Sequence, residues 1–254
     1  MRKKFSILMA SLVCCIASQA GSESVSLNIP NVSTFSVLAE ENPQSTANIV
    51  AIVGGAGLRN GEGRSKNYLV KQKLTFTNAG LNYYLLPNWE NSEKASYSFR
   101  ASDKRARRIG FLVESIRQRN SKPIWLVGFS RGSVDAGYFA KNYPDKISGI
   151  VLASGVYENN SRNARSFSME HIIGTEIDTA VLVAHHLDDT CIVTEYDAAK
   201  TFYDNLNARQ KHILTYTGGG STGRECGPLN HHGFEEIEEK VAKDISNWIN
   251  KLSN

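Results

Sequence analysis

One serine of this sequence has neighbours that could make its hydroxyl group a nucleophile. Ser130 is the centre of Gly128-Phe-Ser-Arg-Gly132, which follows an apolar run at 124–127 and precedes a helical pattern. In such a strand–turn–helix the nucleophile has a strained backbone, and the residues two before and two after it must be small. The turn also puts the Arg131 N–H at a helix N-terminus, where it can bind an oxyanion. The alternative is an ordinary turn with a helix-capping serine.

A serine hydroxyl needs a base, and the base needs an acid that orients it. In this arrangement the three follow in the order Ser, Asp, His. Asp189 comes five residues after the apolar run 180–184, with Asp188 as its alternative. His232 precedes the last helical pattern, with His231 as its alternative. The placement favours Asp189 as the acid and His232 as the base.

A glycine-rich segment could supply a second oxyanion donor. Gly54-Gly-Ala-Gly57 follows the apolar run 48–53, where such a donor is expected. Gly55 and Ala56 are the candidate N–H donors, and a plain glycine turn is the alternative. The segment is no dinucleotide fingerprint, because Asn60 occupies the third glycine position. The chain has no Gly-Lys-Ser or Gly-Lys-Thr phosphate loop either, so we predict no cofactor.

Potential metal ligands cluster in the same part of the chain, but their spacing matches no zinc pattern. We therefore predict no metal site. The residues whose side chains could act as metal ligands are His185, His186, Asp188, Asp189, Cys191 and Cys226.

The first twenty residues have the pattern of an export signal. Basic Arg2-Lys-Lys4 precedes an apolar run at 5–16, and Ser18-Gln-Ala20 offers small residues for cleavage. The apolar run is too short to span a bilayer, which takes about 20 residues. We predict cleavage after Ala20, no stable membrane insertion and a periplasmic or secreted protein. A membrane anchor, a buried helix or a lipid on Cys14 or Cys15 are the alternatives.

Cleavage would leave two of the four cysteines, Cys191 and Cys226. Two cysteines in an exported protein predict one disulfide, with two buried free thiols as the alternative. The bond would join the segment of the predicted acid to that of the predicted histidine.

Composition and charge narrow the classes of function. With 41% hydrophobic and 21% charged residues, the chain has globular composition rather than that of a disordered or fibrous protein. The net charge of +4 falls to +1 without residues 1–20, because 26 basic then face 25 acidic residues. This balance does not indicate a nucleic-acid surface.

Apolar runs without alternation predict strands buried on both faces, and helical patterns between them predict parallel crossovers. We therefore expect one α/β domain over residues 21–254, with a mostly parallel sheet covered by helices on both faces. Only about 25 residues, 154–179, separate two of the predicted strands, so little or no cap is expected. The basic residues on or near the helix predicted at 101–119 should form a solvated face, and an acidic substrate group reaching Arg100 is the alternative; these residues are Arg100, Arg105, Arg107 and Arg108. Strands are predicted at 25–29, 35–38, 48–53, 81–86, 124–127, 149–153, 180–184 and 212–217, and further helices at 68–77, 133–142, 195–206 and 235–252.

The chain resembles the α/β-hydrolase superfamily over residues 45–252. Four motifs carry the likeness, and they are Gly-Gly-x-Gly at 54–57, Ser-Arg-Gly at 130–132, His-His-x-x-Asp-x-Cys at 185–191, and Cys226 followed by His-Gly-Phe at 232–234. More narrowly, these motifs look like those of a group of exported bacterial hydrolases. The resemblance implies a serine hydrolase and supports Asp189 and His232 over their neighbours.

Together these observations predict an esterase-like hydrolase of small-molecule or short polymer esters, in which Ser130 forms an acyl-enzyme intermediate. His232 would be the general base and Asp189 its orienting acid, while Arg131, Gly55 and Ala56 would bind the oxyanion. A serine peptidase or amidase is an alternative within the same chemistry. A non-catalytic binding protein on the same fold is an alternative of another class.

Overall fold

The computed structural model describes residues 23–28, 36–58, 65–86, 88 and 94–254, and for 23–28 the backbone only. The predicted export signal at 1–20 lies outside these residues. In the described part of the chain, no helix is long and apolar enough to cross a bilayer.

The described strands form one eight-stranded sheet in the order β1-β2-β4-β3-β5-β6-β7-β8. β2 is antiparallel to β1 and β4, and all the other neighbours are parallel, which confirms the predicted, mostly parallel α/β sheet. The strands are Glu23–Asn28 (β1), Ser36–Glu41 (β2), Ala47–Ile52 (β3), Leu81–Leu85 (β4), Ile124–Phe129 (β5), Gly149–Ala153 (β6), Glu176–His186 (β7) and Asn207–Tyr216 (β8).

Helices connect the parallel strands. They are Tyr68–Lys71 (α1), Lys73–Asn78 (α2), Tyr97–Arg100 (α3), Asp103–Arg119 (α4), Gly132–Asn142 (α5), Met169–Ile172 (α6), Tyr196–Asn205 (α7) and Glu238–Ser253 (α8). Short 3-10 turns occur at Pro144–Lys146, Arg165–Phe167 and His231–Gly233. Between β6 and β7 the chain forms only α6, one 3-10 turn and loops, so this connection is short as predicted.

The sheet has a hydrophobic core on each face. Leu112 of α4, Phe139 of α5 and Phe202 of α7 belong to one core. Phe76 of α2 and Ile245 of α8 belong to the other. Because both faces are covered, the central strands β3 and β5 are buried along their whole length, which explains their continuous apolar runs.

The helix predicted at 68–77 is two short helices. Gln72 separates them, with φ −98° and ψ 15°, outside the helical region. The first helix is capped by Asn67, whose side chain accepts a hydrogen bond from the Leu69 N–H. The β-branched residues at 70, 75 and 77 favour helix weakly, so the segment gains little from continuing unbroken.

The expected solvated basic face of α4 is only partly present. Arg107 is exposed, but Arg105 is 1% exposed, and so is Arg100 at the end of α3. Both buried side chains form ion pairs with Asp135 of α5, which the sequence pattern did not reveal. The alternative, in which an acidic group of the substrate reaches Arg100, is excluded because Arg100 is buried.

Candidate active site

Ser130 lies in a tight turn between β5 and α5. Its φ is +52°, a conformation that non-glycine residues rarely adopt, and its N–H donates to the Ala153 carbonyl oxygen at 2.8 Å. A Cβ on Gly132 would collide with the Ile52 carbonyl oxygen, and a Cβ on Gly128 with the Gly132 carbonyl. These contacts are the physical reason for glycine two residues before and two after Ser130.

The structure brings Asp189 and His232 together, at the ends of β7 and β8. His232 Nδ1 donates to Asp189 Oδ2 at 3.0 Å, and both side chains are buried. The other ring nitrogen, Nε2, is also buried and has no hydrogen-bond partner among the described residues. The ring of His232 lies 5.1 Å from that of Phe129, the residue before Ser130. One imidazole nitrogen is therefore bonded to a carboxylate, and the other has no described hydrogen-bond partner.

The two alternative residues lie elsewhere. The Asp188 side chain is 57% exposed, and its carboxylate is 3.9 Å from His186 Nδ1. His231 stacks on His186, with ring centroids 4.4 Å apart. Neither residue contacts His232 or Asp189 through its side chain in the described hydrogen-bond network.

Asp189 is ionised although it is buried. Burial alone would raise the pKa of this carboxyl group, but interactions with His185 and His232 outweigh that effect and hold its pKa well below the usual range. The Asp189 carboxylate also accepts hydrogen bonds from the Cys191 N–H at 3.0 Å and the Thr194 hydroxyl at 2.9 Å.

Thr194 is a part of the site that the sequence analysis missed. Its hydroxyl lies 3.0 Å from His232 Nδ1 as well as donating to Asp189. Its carbonyl accepts a hydrogen bond from His185 Nε2, so the proton of His185 is on that nitrogen. No motif spacing marks a threonine five residues after an acid, and only the fold puts it beside both partners.

The glycine segment after β3 lies directly against the serine turn. A Cβ on Gly54 would lie 2.7 Å from Ser130 Cβ. The segment turns tightly, because the Gly57 N–H donates to the Gly54 carbonyl at 3.0 Å and Gly55 has φ +58°. The backbone N–H groups of Gly55, Ala56 and Arg131 make no hydrogen bond to any described residue. These three N–H groups thus have no described partner.

An aromatic pair flanks the serine turn. The Arg131 guanidinium lies over the Tyr97 ring, 4.4 Å from its centroid. Tyr97 in turn stacks on Phe167 at 5.9 Å. The side chain of Arg131 is therefore held against Tyr97, while its backbone N–H lies at the start of α5.

The predicted disulfide between Cys191 and Cys226 is present and spans 35 residues. It joins the loop after β7 to the loop after β8. The segments that carry Asp189 and His232 are therefore covalently linked.

One group of side chains has the composition of a metal site. The ligand atoms of His186, Asp188 and His231 lie within 4.8 Å of one another. However, His186 Nδ1 accepts the Asp188 N–H at 3.0 Å, and its Nε2 bonds to the Gly218 carbonyl at 2.7 Å. Both nitrogens of this histidine are occupied, so the group as it stands does not offer three free ligands.

Solved structures similar to this one agree on the architecture. Dienelactone hydrolase from Anabaena variabilis has a TM-score of 0.62 at 14% identity, over 90% of this chain and 97% of that one. Monoacylglycerol lipase from Paleococcus ferrophilus has a TM-score of 0.60 at 17% identity, over 85% of this chain and 98% of that one. The protein TT1662 from Thermus thermophilus has a TM-score of 0.63 at 12% identity, over 92% of this chain and 98% of that one. This chain has the α/β-hydrolase fold. No family model and no curated relative matches the sequence.

Within the α/β-hydrolase fold, the three residues follow three different parallel strands. Ser130 follows β5, Asp189 follows β7 and His232 follows β8. Because neighbouring parallel strands end at one edge of the sheet, the backbone at these three positions lies toward that edge although the residues are far apart in sequence.

Proposed function

We propose that this protein is a serine hydrolase in which Ser130, His232 and Asp189 form the catalytic triad. The observation that supports it best is the buried His232–Asp189 hydrogen bond, which leaves Nε2 without a described partner in a ring 5.1 Å from that of Phe129, the residue before Ser130. An ionised acid on one side of an imidazole raises the capacity of the other nitrogen to accept a proton.

The reaction would begin when His232 removes the hydroxyl proton of Ser130 as its oxygen attacks the substrate carbonyl. The tetrahedral oxyanion would receive hydrogen bonds from Arg131 N–H and from Gly55 or Ala56 N–H. His232 would then protonate the leaving group, and an acyl group would remain on Ser130. Water, deprotonated by His232, would release the acid and regenerate the serine.

Esters are the substrates that we propose. The solved structures with this fold include proteins named as a lipase and a dienelactone hydrolase, which supports hydrolysis in general. A short connection between β6 and β7 also favours small-molecule or short polymer esters over long buried chains. Amides are the second candidate within the same chemistry, because a triad of this kind cleaves both.

We also propose that the protein acts outside the cytoplasm, in the periplasm or beyond. The Cys191–Cys226 disulfide supports this location, since such bonds persist in oxidising compartments. Sequencing the N-terminus of the exported protein tests the predicted cleavage after Ala20, and a mature chain that still carries residues 1–20 would contradict it.

Labelling with a fluorophosphonate probe tests the nucleophile. We expect one adduct on Ser130 in the wild type and none in Ser130→Ala. A wild-type protein that takes up no label would instead favour a binding protein on a hydrolase fold.

Turnover of short p-nitrophenyl esters tests the base with a matched control. His232→Asn should lower kcat by about 10⁴-fold or more, whereas His231→Asn, one residue away, should keep it within about threefold. Comparable losses in the two variants would contradict the assignment of His232. Aminopeptide substrates, assayed in parallel, distinguish an esterase from a peptidase.

A further inference from the structure

Arg100 is a fully buried cation beside the glycine segment, and the proposed mechanism does not use it. The side chain is 1% exposed, so it cannot touch a substrate. Its Nε donates to the Ala95 carbonyl at 3.1 Å, and its Nη1 pairs with Asp135. Its Nη2 donates to the Val53 carbonyl at 3.0 Å and lies 3.4 Å from the Gly55 carbonyl.

With these contacts, every carbonyl group from 53 to 56 has a donor. Arg100 holds two of them, the Gly57 N–H holds that of Gly54, and the Asn88 amide holds that of Ala56 at 2.8 Å. No described peptide bond is cis. In a trans peptide the N–H points opposite to the C=O, so fixing the carbonyls on one side fixes the N–H groups on the other. The Gly55 carbonyl, which Arg100 holds, fixes the Ala56 N–H, whereas the Gly54 carbonyl, which the Gly57 N–H holds, fixes the Gly55 N–H.

The same guanidinium reaches the second half of the oxyanion site. Its partner Asp135 lies in the first turn of α5, the helix whose start carries the Arg131 N–H. One planar guanidinium, with different nitrogens on the two partners, therefore connects the loop after β3 with the helix after Ser130. A buried ion pair therefore connects the two backbone segments that carry the two sets of donors.

We propose that Arg100 is a positioning residue that holds the two halves of the oxyanion hole in register. This inference rests on the proposed function, because it assigns Arg100 to the binding of the oxyanion in that reaction. Arg105 provides a matched control, since it is equally buried and its Nε pairs with Asp135 at 2.6 Å. In the described hydrogen-bond network Arg105 contacts no carbonyl of residues 53–56.

The test compares Arg100→Lys with Arg105→Lys on an oxo ester and its thiono analogue. Lysine keeps the charge but loses the planar fork. Sulfur accepts hydrogen bonds weakly, so a well-aligned oxyanion hole favours the oxo ester, and misalignment lowers the oxo-to-thiono ratio of kcat. For Arg100→Lys we expect kcat on the oxo ester to fall by about 10- to 100-fold at nearly constant KM, with a matching fall in the ratio. Arg105→Lys should lower the melting temperature and leave the ratio unchanged.

Asp135→Asn is the second variant, and it keeps the shape of the site while weakening the anchor of Arg100. It should lower the ratio by a smaller factor than Arg100→Lys. An unchanged ratio in Arg100→Lys or in Asp135→Asn, or an equal fall in Arg105→Lys, would overturn the inference. If the wild type neither labels with the phosphonate nor hydrolyses an ester, the proposed function is overturned first and the inference with it.

Discussion

Asp189 carries a negative charge in a place that water barely reaches. His185, His232 and Thr194 surround its carboxylate, and their contacts replace the lost hydration. Replacing any one of these groups would lower the stability of the fold, because each deletion leaves a buried polar atom without its partner. Its benefit is that His232 is held in one orientation and one tautomer.

The low pKa of Asp189 predicts a pH dependence of stability. Since the pKa in the folded protein is below that in the unfolded chain, the ionised carboxylate stabilises the fold fully above the unfolded value of about 3.9. That contribution is lost as the pH falls toward the lower folded value. We therefore expect the difference in unfolding free energy between wild type and Asp189→Asn to be constant from pH 7 to 5 and to shrink below about pH 4. Urea unfolding at a series of pH values measures it.

Asp188→Asn is the control for this titration. Its side chain is largely exposed, so its effect should stay within about 0.5 kcal/mol at every pH. A pH profile for Asp188→Asn equal to that of Asp189→Asn would contradict the assignment of the buried acid.

At the scale of elements, the crossing of β3 and β5 with α5 leaves no room for a side chain at position 132. Gly132→Ala should therefore destabilise the protein by about 3 kcal/mol or more, since the added Cβ meets the rigid backbone carbonyl of Ile52. Thermal or urea unfolding measures the change.

Gly110, inside α4, is the matched control. An added Cβ there would lie 3.8 Å from the nearest atom, an ordinary contact with Phe139. Gly110→Ala should stabilise the helix by about 0.5–1 kcal/mol, because alanine favours helix over glycine. Equal stability of the two variants would show that steric exclusion at the turn is not what demands glycine.

Element boundaries were predicted best where strands are buried on both faces. β6 has the predicted bounds, and β3, β4 and β5 agree within one or two residues. β8 begins at Asn207 rather than at the predicted 212. Residues 207–211 pair with β7 but are mostly polar, so no apolar run marks this part of the strand in the sequence. β7 begins at Glu176, four residues before the predicted start at 180. Its pairing with β8 changes register between Ile177 and Ala180.

At the scale of the molecule, what could be predicted depended on where each residue stands relative to a strand end. Ser130, Asp189 and His232 could be proposed as site residues because motifs and strand ends coincide. Arg100 was misjudged because its partner Asp135 lies 35 residues away, on another helix. Thr194 was missed because its role follows only from the folding of the loop that carries Asp189. Pairings that depend on tertiary position leave no periodic trace in the sequence.

The disulfide predicts a change in global stability. Replacing both Cys191 and Cys226 by alanine should lower the unfolding free energy by about 3–4 kcal/mol, from the entropy of a loop of 35 residues in the unfolded chain. Ester turnover should fall as well, because the loops of Asp189 and His232 lose their covalent link. Urea unfolding and p-nitrophenyl ester kinetics measure the two effects.

Thiol titration of the native exported protein is the companion measurement. It should find no free sulfhydryl group before reduction and two after it. Two reactive thiols in the untreated protein would contradict the bond, and a double variant as stable as wild type would contradict its contribution.

The crosslink between these two loops also bears on when the proposed site would be complete. With export as proposed, the chain leaves the cell interior amino end first, so Ser130 emerges well before His232. Cys226 emerges 35 residues after Cys191. The disulfide that links the loops of His232 and Asp189 can therefore form only after both cysteines have been exported. In a reducing compartment the chain would lack this covalent link between the two loops, so the proposed esterase activity would be lower before export than after it.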